Sequence, residues 1–222
     1  MKDKILFVVT SHGELGDSGR KTGYFLSEVT HPWSVLGEKY DIDVVSPKGG
    51  RPPVDGFNLD DPINRKFWDN PEWQDKMSST ITPDQVNPSD YKAIFYAGGH
   101  GAMFDFPTNK KLAEIASAIY ENGGIVAAVC HGPAGLINIL LPDSSNLIKG
   151  KKLDSFTNAE EEVNGTVAYM PFLLQTALVN KGAIFDCGAP WTDHVIVDGQ
   201  LITGQNPQSA LSVGKAILKA LS

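Results

Sequence analysis

The chain has 222 residues, with 19 Lys and Arg against 26 Asp and Glu for a formal net charge of −7; it has no dense basic stripe, which excludes a nucleic-acid binder working by phosphate neutralisation. Hydrophobic residues make up 41% and charged residues 20%, enough for one domain with a sizeable core. There is no ~18-residue apolar run to cross a membrane, no signal-peptide pattern, and the two cysteines, Cys130 and Cys187, form neither a disulfide framework nor a metal-ligand spacing, so a reducing cytosol is the expected compartment.

Taken in chain order, short apolar runs alternate with helical stretches. Ile5–Val9 reads as a buried first strand, Thr22–Gly37 as a helix interrupted near Pro32, and Tyr40–Val45 as a second strand. From Ser46 to Ser89 the chain is rich in Pro, Asp and Asn and carries Trp68 and Trp73. It reads as a long surface excursion with a short helix around Pro71–Met77, either walling an active site or serving as a packing flap. Ala93–Ala97 is a third strand. Asn109–Glu121 is a helix, since Leu112, Ile115, Ala116 and Ile119 share one face. Gly124–Val129 is another strand and Gly132–Leu140 another helix. Phe172–Asn180 is helical; Ala183–Phe185, Val195–Val197 and Leu201–Thr203 are strands; Ser209–Leu221 closes the chain as a helix. Strands this apolar are buried on both faces, and their alternation with helices predicts an α/β fold with a doubly wound, mostly parallel sheet.

The strongest local signal is Ala127-Ala128-Val129-Cys130-His131-Gly132-Pro133-Ala134. A buried strand runs into Cys130, and small residues then allow a sharp turn. This is the strand–turn–helix context of a nucleophile elbow, with Cys in place of Ser. The elbow raises its side chain at the carboxyl edge of the sheet, where open α/β sheets bind ligands. A helix N-terminus and the neighbouring His131 would both favour thiolate. The alternative role is a small buried apolar side chain; the C-H-G-P turn favours the nucleophile.

A second signal, Tyr96-Ala97-Gly98-Gly99-His100-Gly101, also follows a strand directly. Adjacent glycines let backbone N–H groups approach a ligand, as in an oxyanion hole. The same residues also suit a phosphate-binding or plain tight turn, although the lysine of a phosphate-binding loop is missing.

Together with Thr22-Gly23-Tyr24-Phe25-Leu26-Ser27-Glu28-Val29, His31-Pro32, Phe156-Thr157-Asn158-Ala159-Glu160-Glu161 and Gly204-Gln205-Asn206-Pro207, these motifs resemble the DJ-1/PfpI superfamily, in particular its Hsp31-like glyoxalase III branch. The resemblance runs from Ile5 to the C-terminal helix. It implies the flavodoxin-like, class I glutamine amidotransferase-like fold, as a single domain over 1–222. It also implies site roles. Cys130 corresponds to the nucleophile, His131 to the catalytic imidazole, and Glu28 to the glutamate whose carboxyl meets the sulfur. Glu161 corresponds to the acid that orients the histidine, and Gly99 with the residue after the nucleophile to the oxyanion donors. Glu160, Glu161 and Glu162 are consecutive, so a shift of one residue is open; Phe156-Thr157 sets the register in favour of Glu161.

The implied activity is a cofactor-free lyase reaction, the conversion of methylglyoxal and related 2-oxoaldehydes to 2-hydroxy acids without glutathione. The alternatives are a deglycase acting through the same site and a holdase chaperone of the stress response. A glutamine amidotransferase is disfavoured, because its H-x-E motif is missing: His194 is followed by Val195-Ile196. The histidine after Cys130 also argues against a pure redox sensor. No metal and no cofactor are expected; the family's habit suggests a homodimer. Cys187 reads as a strand-end core residue, and Trp191 as structural or pocket-lining.

Overall fold

A computed structural model describes residues 2–222. The central sheet has six strands in the order β3-β1-β5-β6-β10-β9. These are β1 (Lys4–Val8), β3 (Asp41–Val45), β5 (Tyr91–Tyr96), β6 (Ile125–Val129), β9 (Val195–Asp198) and β10 (Leu201–Gly204). All neighbours are parallel except β9 and β10. That last pair is a hairpin whose two-residue loop uses Gly199 at φ 62°, a conformation glycine adopts without steric cost.

Burial on both faces explains the apolar strands. In β5, Ala93 and Phe95 face one core while Ile94 and Tyr96 face the other, as a side-chain period of two requires. On one face pack α1 (Leu26–Leu36) and the C-terminal helix (Ala210–Ala220), through Val29, Trp33, Leu36, Val213 and Ile217. Gly214 permits their close approach: a Cβ there would lie 2.8 Å from Pro32 Cα. On the other face lies the helix Lys110–Glu121, which buries Leu112, Ile115, Ala116 and Ile119. Each buried leucine or isoleucine there contributes roughly 1.5–3 kcal/mol. Among the described residues no helix is long and apolar enough to cross a membrane.

Three expectations from the sequence are corrected. The first helix starts at Leu26, because Tyr24–Phe25 form a short strand, β2, beside β4 (Val54–Asp55). That helix also runs through Pro32 and gives up only one internal hydrogen bond there. The stretch Gly132–Leu140 is a short 3-10 turn, Gly132–Leu136, and not an α-helix. Two glycines and a proline disfavour a helix in this stretch. Gly132 is also pressed against β5, where a Cβ would meet Tyr96 O at 2.2 Å. Finally, the 46–89 excursion holds two capped helices, α2 (Pro62–Trp68) and α3 (Pro71–Ser78). Phe67 and Trp73 from these helices pack on Trp33 at ring distances of 5.1 and 5.7 Å, so the excursion covers one core.

Candidate active site

The carboxyl ends of β5 and β6 meet at Cys130. This residue has φ 59°, a left-handed conformation that costs a non-glycine residue about 1–3 kcal/mol. Two backbone hydrogen bonds hold it there: Cys130 N–H donates to Gly204 O at 2.8 Å, and Phe156 N–H donates to Cys130 O at 2.8 Å. The turn directs the sulfur toward the imidazole of His131, with Sγ 3.4 Å from Nδ1. Both residues are almost fully covered, at 3% and 1% exposure.

Glu28 reaches the same point from α1 and is wholly buried. Its Oε2 accepts the Gly98 N–H at 2.7 Å, while Oε1 has no hydrogen-bond partner among the described residues. Burial pushes this carboxyl up to about 8, partly offset by hydrogen bonds from Cys130 and Gly98. At neutral pH Glu28 therefore carries its proton. Gly98 makes the convergence possible, since a Cβ there would lie 2.6 Å from Glu28 Oε2 and 2.7 Å from His131 N. Gly99 has φ 97°, and a Cβ on it would sit 2.2 Å from Gly23 O. Its N–H faces the Cys130 sulfur.

Burial also pushes the Cys130 thiol up, and a charged Glu28 beside it acts in the same direction; the Gly99 N–H opposes both. A protonated Glu28 places no charge beside the sulfur, so desolvation is the main barrier to ionisation. This corrects the expected helix-dipole activation: a five-residue 3-10 turn offers little macrodipole.

Glu161 lies on α6 (Asn158–Val163), where Thr157 caps the helix in a capping box with Glu160. Of the three consecutive glutamates it is Glu161 that meets His131, with Oε2 2.8 Å from Nε2. Glu160 is turned into a structural clasp. Its Oε2 accepts from Thr157, and its Oε1 accepts from Trp191 N–H, Gln205 and Asn206 at 2.9, 3.1 and 2.9 Å. Glu162 is exposed. Burial works against the Glu161 charge, yet hydrogen bonds from His100, His131 and Thr166 hold the carboxyl well below its ordinary value. His131 is pushed down to about 4 by burial and by neighbouring His100, against the pull of Glu161, so its imidazole is neutral at pH 7.

His100 was not singled out from the sequence, since 61 residues separate it from Glu161. Its Nε2 lies 3.1 Å from Glu161 Oε1, and its ring stands 4.3 Å from that of His131. His100, His131 and Glu161 place ligand-type atoms within 4.8 Å of one another. A cation held there would occupy the nitrogen and oxygen that orient His131. Phe156 lines the other side of His131, with ring centroids 4.5 Å apart, and Trp191 stands edge-on to Phe156 at 5.4 Å. Trp191 thus borders the site while its backbone is anchored on Glu160. Cys187 is exposed, contrary to the expected core position, because β8 (Ile184–Phe185) pairs with β7 (Lys152–Leu153) outside the main sheet. His194 bonds Asp154 at 2.8 Å and takes no part in the Cys130 cluster.

Residues 21–220 match the model of the DJ-1/PfpI family. Among curated proteins, Glyoxalase 3 of Candida albicans is 34% identical, with 98% of each chain covered. Glutathione-independent glyoxalase HSP31 of Saccharomyces cerevisiae is 35% identical over 98% of each. Among solved structures, the Rapid Encystment Protein of Francisella tularensis superposes with a TM-score of 0.96 at 39% identity over the full length of both chains. Candida albicans glyoxalase III superposes with a TM-score of 0.91 at 33% identity, covering 98% of this chain and 96% of that one.

Proposed function

The chain belongs to the DJ-1/PfpI family, and from that premise we propose that it is a glutathione-independent glyoxalase, a lyase that converts methylglyoxal to lactate through a covalent bond to Cys130. The observation that carries this reading is the convergence on one buried sulfur of a neutral imidazole backed by a carboxylate, a protonated carboxyl and a backbone N–H. A redox isomerisation within one small molecule needs these groups and no external electron carrier.

The tautomer sets the first step. His131 Nε2–H donates to Glu161, so Nδ1 is the unprotonated nitrogen facing Sγ. Nδ1 accepts the thiol proton while sulfur bonds the aldehyde carbon, C1. The new alkoxide lies at the Gly99 N–H and takes the proton back from His131, giving a hemithioacetal. His131 then removes the C1 hydrogen as Glu28 gives its proton to the C2 carbonyl oxygen, and an enediol forms. His131 returns its proton to C2, and Glu28 recovers one from the C1 hydroxyl. The result is a thioester of a 2-hydroxy acid. Water cleaves it, releasing the acid and the thiol. Covalent capture divides a difficult hydrogen shift into proton transfers between fixed groups.

The test is incubation with methylglyoxal without glutathione or added metal, with lactate measured. Lactate formation is expected. Stable methylglyoxal, or its loss with no lactate, would remove the reading.

A further inference from the structure

A cavity of about 500 Å³ lies between the β2–β4 ribbon and helices α2 and α3. Its lining includes Tyr24, Arg51, Val54, Trp68, Gln74 and Met77, and none of Cys130, His131, Glu28, Glu161 or Gly99. That volume is typical of a small-molecule site.

Three hydrogen-bond donors in the lining have no partner within the described chain, and one of them, the Gln74 nitrogen, is buried. Arg51 forms no ion pair among the described residues, although acidic residues outnumber basic ones, 26 to 19. Its guanidinium lies within electrostatic reach of the Tyr24 phenol. Tyr24 is 2% exposed, and its hydroxyl makes no hydrogen bond among the described residues. The Gln74 carboxamide nitrogen is buried with no partner. Buried donors are nearly always paired, so the buried Gln74 nitrogen, beside a guanidinium and a phenol with no partner in the chain, calls for an acceptor from outside. The lining contains no Asp or Glu. Val54, Trp68 and Met77 supply apolar surface beside these donors.

We infer that this cavity binds a small organic carboxylate, its anionic head on Arg51 with Tyr24 and Gln74, and its apolar body against Val54, Trp68 and Met77. The planar guanidinium fork suits a carboxylate and binds it in paired hydrogen bonds. The inference stands apart from the reaction at Cys130, because no residue is shared.

The test uses the full chain with methyl-labelled Met and Val, titrated in separate experiments with benzoate, octanoate and 2-naphthoate, and with neutral 2-naphthylmethanol as control. Saturable shifts of the Met77 and Val54 methyls are expected with at least one carboxylate. Loss of a charged hydrogen-bond partner costs about tenfold or more in affinity, so 2-naphthylmethanol and the Arg51→Gln variant should each bind at least that much more weakly. Arg51 is exposed, so this variant keeps the fold. The inference is overturned if none of the three carboxylates gives saturable shifts at these methyls, or if Arg51→Gln binds as tightly as the parent.

Discussion

Glu161 Oε2 stands 2.8 Å from His131 Nε2, and this one contact decides which imidazole nitrogen is free to face the sulfur. A Glu161→Gln substitution keeps the shape but lets the carboxamide donate to Nε2. The proton then moves to Nδ1, where it blocks acceptance from Cys130. Wrong-tautomer substitutions of this kind lower kcat by up to about 10⁴. A fall of roughly 10²–10⁴ in kcat for methylglyoxal is expected, with an unchanged circular dichroism spectrum. Activity within about twofold of the parent would show that Glu161 does not set the tautomer.

Glu28 makes a signed prediction for stability. Its folded pKa, about 8, lies above its ordinary value of 4.5, so the native state holds a proton that the unfolded chain has lost between those values. The stabilisation is full below pH 4.5 and fades as pH rises through 8. Glu28→Gln keeps a neutral side chain at every pH. Parent minus variant unfolding free energy should therefore decline from pH 5 to pH 9, by an amount of the order of a few kcal/mol for this fully buried group. Denaturant melts at several pH values measure it. A pH-independent difference would mean that Glu28 is not held protonated.

Gly98 has no room for a side chain, because a Cβ would fall within 2.7 Å of Glu28 Oε2, Val129 O and His131 N. Two of those three atoms are backbone, which cannot swing aside. Gly98→Ala should lower stability by about 1–3 kcal/mol as the site is forced apart. It should also lower kcat for methylglyoxal, because Glu28 and His131 are displaced together. Normal stability together with normal kcat would contradict this geometry.

Thr157 separates structure from chemistry. It caps α6 and shares a capping box with Glu160, so Thr157→Ala should cost about 1 kcal/mol. In a chain of this size that lowers Tm by about 2–4 °C. Glu161 keeps its own bonds to His131 and His100, so kcat should fall far less than in Glu161→Gln. Equal losses in the two variants would place Thr157 in the chemistry.

The strands were readable in the sequence because parallel strands buried on both faces are continuous apolar runs, as in Leu6-Phe7-Val8 or Ala127-Ala128-Val129. Their order was not, since it depends on contacts between residues far apart in the chain. Cys130 and His131 stood out because a strand, a reactive pair and small residues adjoin one another. Glu28 reaches the sulfur, and Glu161 the imidazole beside it, across long sequence separations, and only the family resemblance pointed to them. One local signal bore on the run of glutamates: Thr157-Asn158-Ala159-Glu160 is a T-x-x-E capping box, which commits Glu160 to the helix start and leaves Glu161 free to point into the site. No short-range pattern marks His100, whose contact with Glu161 is made by folding alone. The expected thiolate activation failed on a local detail, a glycine- and proline-rich 3-10 turn where a helix was expected.

The most direct measurement is lactate formation from methylglyoxal by Cys130→Ala, alongside a circular dichroism melt. A folded variant that yields no lactate above the enzyme-free rate is the predicted result. A folded variant that still turns over methylglyoxal at a rate near the parent's would contradict the covalent role of Cys130.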